Sequence, residues 1–196
     1  KTSEDPVDGL DVSILQMNYG IYSVLAYSGN NALGGSDFDQ AIAADFEELY
    51  KETYNESCFD EDISDKTRER LRRRIIQEAE NVKISLRTSD SVGTNISFER
   101  VHDEDDDDDD NDIEYTVERM NSVLEPFINQ TITTVIDALN IAGLQRQDIS
   151  QIVLVGGSSR LKLVRKKLIE FFKRDIISSK VNPDEAVAKG ACLALA

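Results

Sequence analysis

QIVLVGGSSR at residues 151–160 is the stretch on which the reading of this chain turns. Gln151–Val155 is a short run dominated by β-branched and aliphatic residues and bounded by a glycine pair, the pattern of a buried strand. Gly156 and Gly157 allow a tight turn and a close approach of backbone to a ligand. From Ser159 to about Phe172 helical periodicity resumes, so free N–H groups of a new helix would lie beside the turn. Arg160, at that junction, carries a planar guanidinium able to lie on an aromatic base. The spacing is neither a P-loop nor a GxGxxG fingerprint, and a glycine pair after a strand also serves as a plain turn. Both readings stay open at this point.

Downstream, Asn182 reads as a helix cap with Pro183 at the first helical position and Glu185 three residues after the cap. The helix then runs to the C-terminus on Ala186, Val187, Ala191 and Leu193. Asp184 is either an acid stabilised by the helix N-terminus or a ligand contact. Upstream, Glu118–Ala142 is helical in pattern, with Pro126 expected to end one helix and begin another. Residues 11–17 and 21–28 read as strands joined through Asn18–Tyr19–Gly20. Ser36 looks like the cap of a helix reaching about Tyr54, entered from the glycine turn LGGSDFD at 33–39. After a polar loop comes a long helix whose Leu71, Ile75, Ala79, Val82 and Leu86 form one apolar stripe. Residues 94–101 alternate like a strand, and Ile113–Val117 is the returning one. The order is mixed α/β. On the long helix Glu80 and Lys83 lie three apart on a flank of the stripe. They can point into one cleft or form a surface pair.

The chain has 196 residues and a formal charge of −16, nine units of which come from Asp103, Glu104, Asp105 to Asp110 and Asp112; without those nine the charge is −7. Such a run repels itself and buries nothing, so a solvated, disordered insertion over about 102–112 is expected. It lacks the spaced ligands and turn glycine of a calcium loop. The arginines at 68, 70, 72, 73 and 74 are interleaved with Glu69, Glu78 and Glu80, which favours a salt-bridged helix surface over a nucleic-acid groove. Cys58 and Cys192 have no metal-ligand spacing, His102 sits beside the acidic run, and no metal site is indicated. No apolar stretch is long enough to span a membrane, and no signal peptide is visible.

LGGSDFD at 33–39, EAENVKISL at 78–86, IVLVGGSSR at 152–160 and NPDEAVAKGA at 182–191 occur in an order that resembles the seventy-kilodalton heat-shock protein family. The resemblance runs from about Asp11 to the C-terminus and thins in the acidic run. It implies an α/β fold: the second lobe of an actin-like (ribonuclease H-like) ATPase. Residues 1–33 plus 124–196 would form its base subdomain and 34–123 a smaller inserted α+β subdomain. It further implies an adenine-nucleotide site for ATP or ADP with Mg2+ in the intact two-lobed domain. Glu80 and Lys83 would hold the ribose, with Arg87 beside the base. Gly156, Gly157 and Ser158 would bring backbone to the nucleoside, Arg160 would stack on adenine and Asp184 would lie nearby. Asp11 is the candidate catalytic residue.

The same resemblance implies partners. They are a first lobe and a substrate-binding domain, co-chaperones or nucleotide exchange factors, and unfolded polypeptide clients. Nucleic acid and membrane are not expected, and a cytoplasmic location is expected, with the endoplasmic reticulum lumen as the alternative. Arg87 replaces a small serine of the family, and Lys162 stands where proline is usual. Pro6–Val7–Asp8–Gly9 stands where the family has a glycine-rich phosphate loop, which removes an N–H and adds a negative charge. Weak phosphate binding and slow hydrolysis would follow, and a non-hydrolysing co-chaperone or scaffold is the competing reading. Deleting Asp103–Asp112 is expected to leave the melting temperature nearly unchanged in a thermal melt; a loss of several degrees would contradict the solvated-insertion reading.

Overall fold

The structure is a computed structural model that describes residues 9–55, 57, 59, 63–87, 94–97 and 112–194. The expectations for Pro6–Asp8, His102 and most of the acidic run lie outside those residues. The chain divides into two compact units. One holds the residues up to Ser36 and from Glu125 onward, the other Asp37–Leu124.

In the first unit β1 (Leu10–Asn18) pairs antiparallel with β2 (Ile21–Asn30). Tyr19 at φ 50° and Gly20 at φ 83° form the turn, both on the positive side that a two-residue hairpin needs to match strand twist. Ile14 stands opposite Ala26, and a register irregularity follows between Ile14 and Leu15. Ile14 and Ala26 are buried in one cluster with Ala138 and Leu139, with Val12, Val135, Leu144, Ile149 and Phe171 packed against it. The strand period of two and the helix period of 3.6 thus meet on one apolar layer.

That layer rests on α3 (Val117–Ala142), which runs unbroken with Pro126 inside it. The expected break at Pro126 is therefore corrected. Proline removes one backbone donor, but the buried stripe of Met120, Leu124, Ile128 and Ala138 continues past it. Burial of about 1.5–3 kcal/mol per large aliphatic side chain outweighs one lost hydrogen bond.

α4 covers Lys162–Phe172 and buries Leu163, Val164, Leu168 and Phe172. A loop around a short 3-10 turn at Arg146–Asp148 precedes it. That loop is held by Arg174, whose Nη2 donates to the carbonyls of Arg146, Gln147 and Ile149 at 3.1, 2.7 and 2.6 Å.

The expected strand at 151–155 is reduced to a single parallel bridge between Ile152 and Ile177. Its bonds run from Ile152 N–H to the Ile176 carbonyl and from Ser178 N–H to the Ile152 carbonyl, each at 2.8 Å. An apolar run makes a ladder only as long as its partner's, and Val153 and Val155 remain about half exposed.

The last helix, α5 (Ala186–Ala194), begins after a turn at Pro183–Glu185, so Asn182 does not cap it. Asn182 instead accepts the Asp184 N–H on its side-chain oxygen at 3.3 Å. Short polar side chains favour this local turn over helix continuation.

The second unit is built on α1 (Gly35–Tyr54) and α2 (Asp65–Ser85). α1 begins one residue before Ser36, which therefore lies inside the first turn instead of capping it. Phe38, Ile42, Phe46 and Tyr50 recur at four-residue steps and are all buried. α2 is capped by Ser64, whose hydroxyl accepts the Thr67 N–H at 3.2 Å. Ile75, Ala79, Val82 and Leu86 of the expected stripe are buried, and Leu71 is half-buried. β3 (Thr94–Ser97) and β4 (Asp112–Tyr115) form an antiparallel pair. β4 ends at Tyr115 and not at Val117, because Val117 already opens α3.

Two carboxylates of α1 face inward, each against a cation. Asp39 lies 2.6 Å from Lys83 Nζ, with both side chains at least nine-tenths buried. Asp45 takes two bonds from Arg119, from Nε at 2.8 Å and from Nη2 at 3.0 Å, while Glu52 takes Nη1 at 3.0 Å. Tyr115 is fully buried, edge-on to Phe46 with ring centroids 4.6 Å apart. Burial, with the Asp45 carboxylate beside it, pushes the Tyr115 phenol well above its ordinary range.

Breaking either pair strands a charge in the interior. Asp39→Asn, which leaves the Lys83 ammonium buried without that counter-charge, is expected to cost about 3–5 kcal/mol in urea denaturation. Arg119→Ala removes a guanidinium that is partly solvated, so about 1–3 kcal/mol is expected by the same measurement. A change below experimental error in either variant would show that the pair contributes nothing net.

Candidate functional site

Five of the residues singled out in the sequence meet in the first unit. Gly156 has φ 85°, a region that L side chains avoid, and no atom lies within 4 Å of where its Cβ would stand. Its N–H donates to the Pro183 carbonyl at 3.0 Å. Gly157–Arg160 follows as one short 3-10 turn. Ser159 closes the turn by donating from both its N–H and its hydroxyl to the Gly156 carbonyl, at 3.3 and 2.7 Å. The N–H groups of Gly157 and Ser158 have no acceptor among the described residues. They remain available to an external acceptor.

Arg160 closes the corner. Its Nη2 lies 2.6 Å from Asp184 Oδ2 and 2.5 Å from Asn182 Oδ1. The Arg160 side chain is 39% exposed and that of Asp184 50%. The pair is held but wet, and its net contribution to stability is small. A guanidinium fixed in plane at one nitrogen, with solvent at its sides, can receive a flat aromatic ring. The donor set at this corner therefore fits a purine nucleoside: a stacking cation, two open backbone N–H groups and no side chain at the turn. Asp184, one of the two alternatives in the sequence, is neither idle nor isolated: it holds Arg160.

The residues on α2 are placed differently from the sequence expectation. Glu80 is exposed and accepts a bond from Gln77 Nε2 at 3.1 Å. Lys83, three residues on, is 4% exposed and paired with Asp39. Both lie on one flank of the apolar stripe with Lys83 the nearer to it, so Lys83 turns into the helix interface while Glu80 turns outward. Arg87 lies just past the C-terminus of α2, and its Nε is buried without a hydrogen-bond partner among the described residues.

Asp11 is exposed on β1, opposite Gly29. The Tyr27 hydroxyl donates to Asp11 Oδ1 in a short bond. The same carboxylate raises the Tyr27 phenol above its ordinary range. A Cβ on Gly29 would come within 2.9 Å of that carboxylate oxygen. Asp11 is thus fixed as an acceptor over a glycine backbone. Among the described residues no group of three His, Cys, Asp or Glu side chains converges as a metal site, and no helix is long and apolar enough to cross a membrane.

Sequence reasoning missed Asn182, Asp39 and Tyr27 as partners of site residues. Asn182 carried a signal, as a short amide beside Asp184, but was absorbed by its role as a cap. Asp39 belongs to LGGSDFD, yet nothing in the spacing pairs it with a residue 44 positions away.

A family model described as Hsp70 protein matches residues 8–196. The chaperone protein HscA of Shigella boydii serotype 18 is 33% identical over 183 residues, which is 93% of this chain and 26% of that protein. HscA of Escherichia fergusonii is likewise 33% identical, and HscA of Salmonella newport 32%, over the same shares. This chain spans about a quarter of the length of these relatives. It belongs to the Hsp70 family, with the α/β, actin-like ATPase fold of that family.

Proposed function

We propose that this chain is the adenine-nucleotide-binding part of an Hsp70-type molecular chaperone, in which nucleotide-driven closure controls the binding of unfolded polypeptides. The observation that carries the reading is the Arg160 corner: a guanidinium gripped at one nitrogen beside a glycine turn with open N–H groups. In this reading Arg160 stacks on adenine, Gly156, Gly157 and Ser158 bring backbone to the nucleoside, and Asp184 orients Arg160. Glu80 takes the ribose from its exposed position on α2. Lys83 belongs to the same set by family resemblance, with Asp39 as its fixed neighbour. ATP with Mg2+ would supply the phosphoanhydride whose hydrolysis to ADP and phosphate drives the cycle. This chain's own residues bind and orient the nucleoside end.

A second reading, a family member that holds nucleotide without turning it over, is favoured by one observation. The candidate catalytic carboxylate of Asp11 is engaged by Tyr27, and Pro6–Val7–Asp8–Gly9 precedes it. The two readings share the nucleoside contacts and part at hydrolysis.

Calorimetric titration of the protein with ADP tests what they share. Arg160→Ala is expected to weaken binding about 5- to 30-fold, the loss of one cation–π contact of about 1–2 kcal/mol. Phosphate release measured on the same preparation separates hydrolysis from holding. Unchanged ADP affinity in Arg160→Ala would remove the site.

A further inference from the structure

Arg160 is a long side chain, and a long side chain on the surface samples many rotamers unless something fixes it. Stacking needs the guanidinium plane, and not merely its charge, to be in place. Both acceptors on Arg160 share a single nitrogen: Nη2 reaches Asn182 Oδ1 at 2.5 Å and Asp184 Oδ2 at 2.6 Å. The two N–H bonds of one Nη lie in the guanidinium plane, so two acceptors on it define that plane. One acceptor alone would leave the group free to rotate about its bond.

Asn182 is the better anchored of the two acceptors. It is half-buried whereas Asp184 is exposed. Its side-chain oxygen also accepts the Asp184 N–H at 3.3 Å, and its backbone carbonyl accepts the Glu185 N–H at 3.1 Å. The next residue's carbonyl, Pro183, accepts the Gly156 N–H at 3.0 Å. One three-residue strap, Asn182–Pro183–Asp184, therefore grips the glycine turn at one end and the guanidinium at the other. The amide orientation is set by its oxygen, which faces two donors, Arg160 Nη2 and the Asp184 N–H.

We propose that Asn182 is a positioning residue for nucleotide binding: it fixes the plane of Arg160 against the Gly156–Gly157 turn, so that the adenine face is set before the ligand arrives. Preorganisation of this kind appears as affinity, because the ordering is complete in the free protein. Asn182 touches no ligand in this scheme and acts through Arg160 alone. The proposal rests on the nucleotide reading above.

A double-mutant cycle on the protein, titrated with ADP and separately with inorganic tripolyphosphate, tests it. Asn182→Ala is expected to weaken ADP binding about 3- to 10-fold, the scale of one partly solvated hydrogen bond to a charged group. It should leave tripolyphosphate affinity unchanged. In the Arg160→Ala background the same substitution should change ADP affinity by less than about twofold, because its only route of action is gone. Asn182→Asp, which keeps an acceptor toward Arg160, should recover most of the affinity. Asn182→Leu keeps the volume without the acceptor and should behave like Asn182→Ala, which guards against a folding defect in the smaller variant. An equal loss in both backgrounds, or an equal loss for tripolyphosphate, would overturn the proposal in favour of a general structural role. If Arg160→Ala weakens ADP while neither Asn182→Ala nor Asn182→Leu does, the positioning role fails and the nucleotide reading stands. If Arg160→Ala has no effect, both fail together.

Discussion

The constraint on which most of this structure depends is the continuity of α3 through Pro126. A proline inside a helix costs one backbone bond and a steric clash, about 3 kcal/mol in an unsupported helix. Leu124 and Ile128, two residues to either side, are fully buried. The helix continues because both flanks are anchored by packing. Its earlier turns carry Met120 and Leu124, and its later turns carry Ala138 and Leu139 under the hairpin. The later turns are the surface that buries Ile14 and Ala26.

The charged groups divide by exposure into two kinds of work. Asp39 with Lys83, and Asp45 with Arg119, lie inside the second unit. Their desolvation is expensive, and it is recovered only while both members are present. Such pairs set which face of α1 meets α2 and α3. Arg160 with Asp184 is half-exposed and worth little to stability. A held but solvated guanidinium is poorly suited to support a fold and well suited to meet a ligand. The same chemistry of cation and carboxylate is buried in one unit and left in solvent in the other, and burial decides how much each pair contributes to the fold.

Asp11, Tyr27 and Gly29 show a side chain's environment overriding its identity. An exposed aspartate on a strand is open to catalysis, ion binding or nothing at all. Here the facing residue in the register is glycine, which leaves room for the carboxylate to fold over the backbone and meet the Tyr27 hydroxyl. The bond accounts for the residue's orientation without any ligand.

The amino-acid sequence by itself determined the element types and the family. Hairpin chemistry at Tyr19–Gly20, the stripe from Ile75 to Leu86 and the four ordered motifs are local signals, encoded in neighbours a few residues apart. That the glycine turn, Arg160 and Asp184 are worth singling out was legible for the same reason: two lie in one short segment and the third in a recognisable motif, and the structure pairs Arg160 with Asp184. What failed were readings that needed a distant partner. Residues 151–155 look like a full strand, but strand length is a property of two segments, and Ile177 offers a single bridge. Pro126 looks like a terminator until the packing on both sides is known. Asn182 looks like a helix cap, yet its oxygen lies within reach of a guanidinium 22 residues away in sequence. Lys83 looks like an exposed partner of Glu80, three positions apart on one helix, until Asp39 draws it inside. Periodicity identifies which side chains share a helix face; only the tertiary structure brings together residues far apart in sequence, because desolvation and pairing energies depend on what closes over a group and not on its neighbours along the chain.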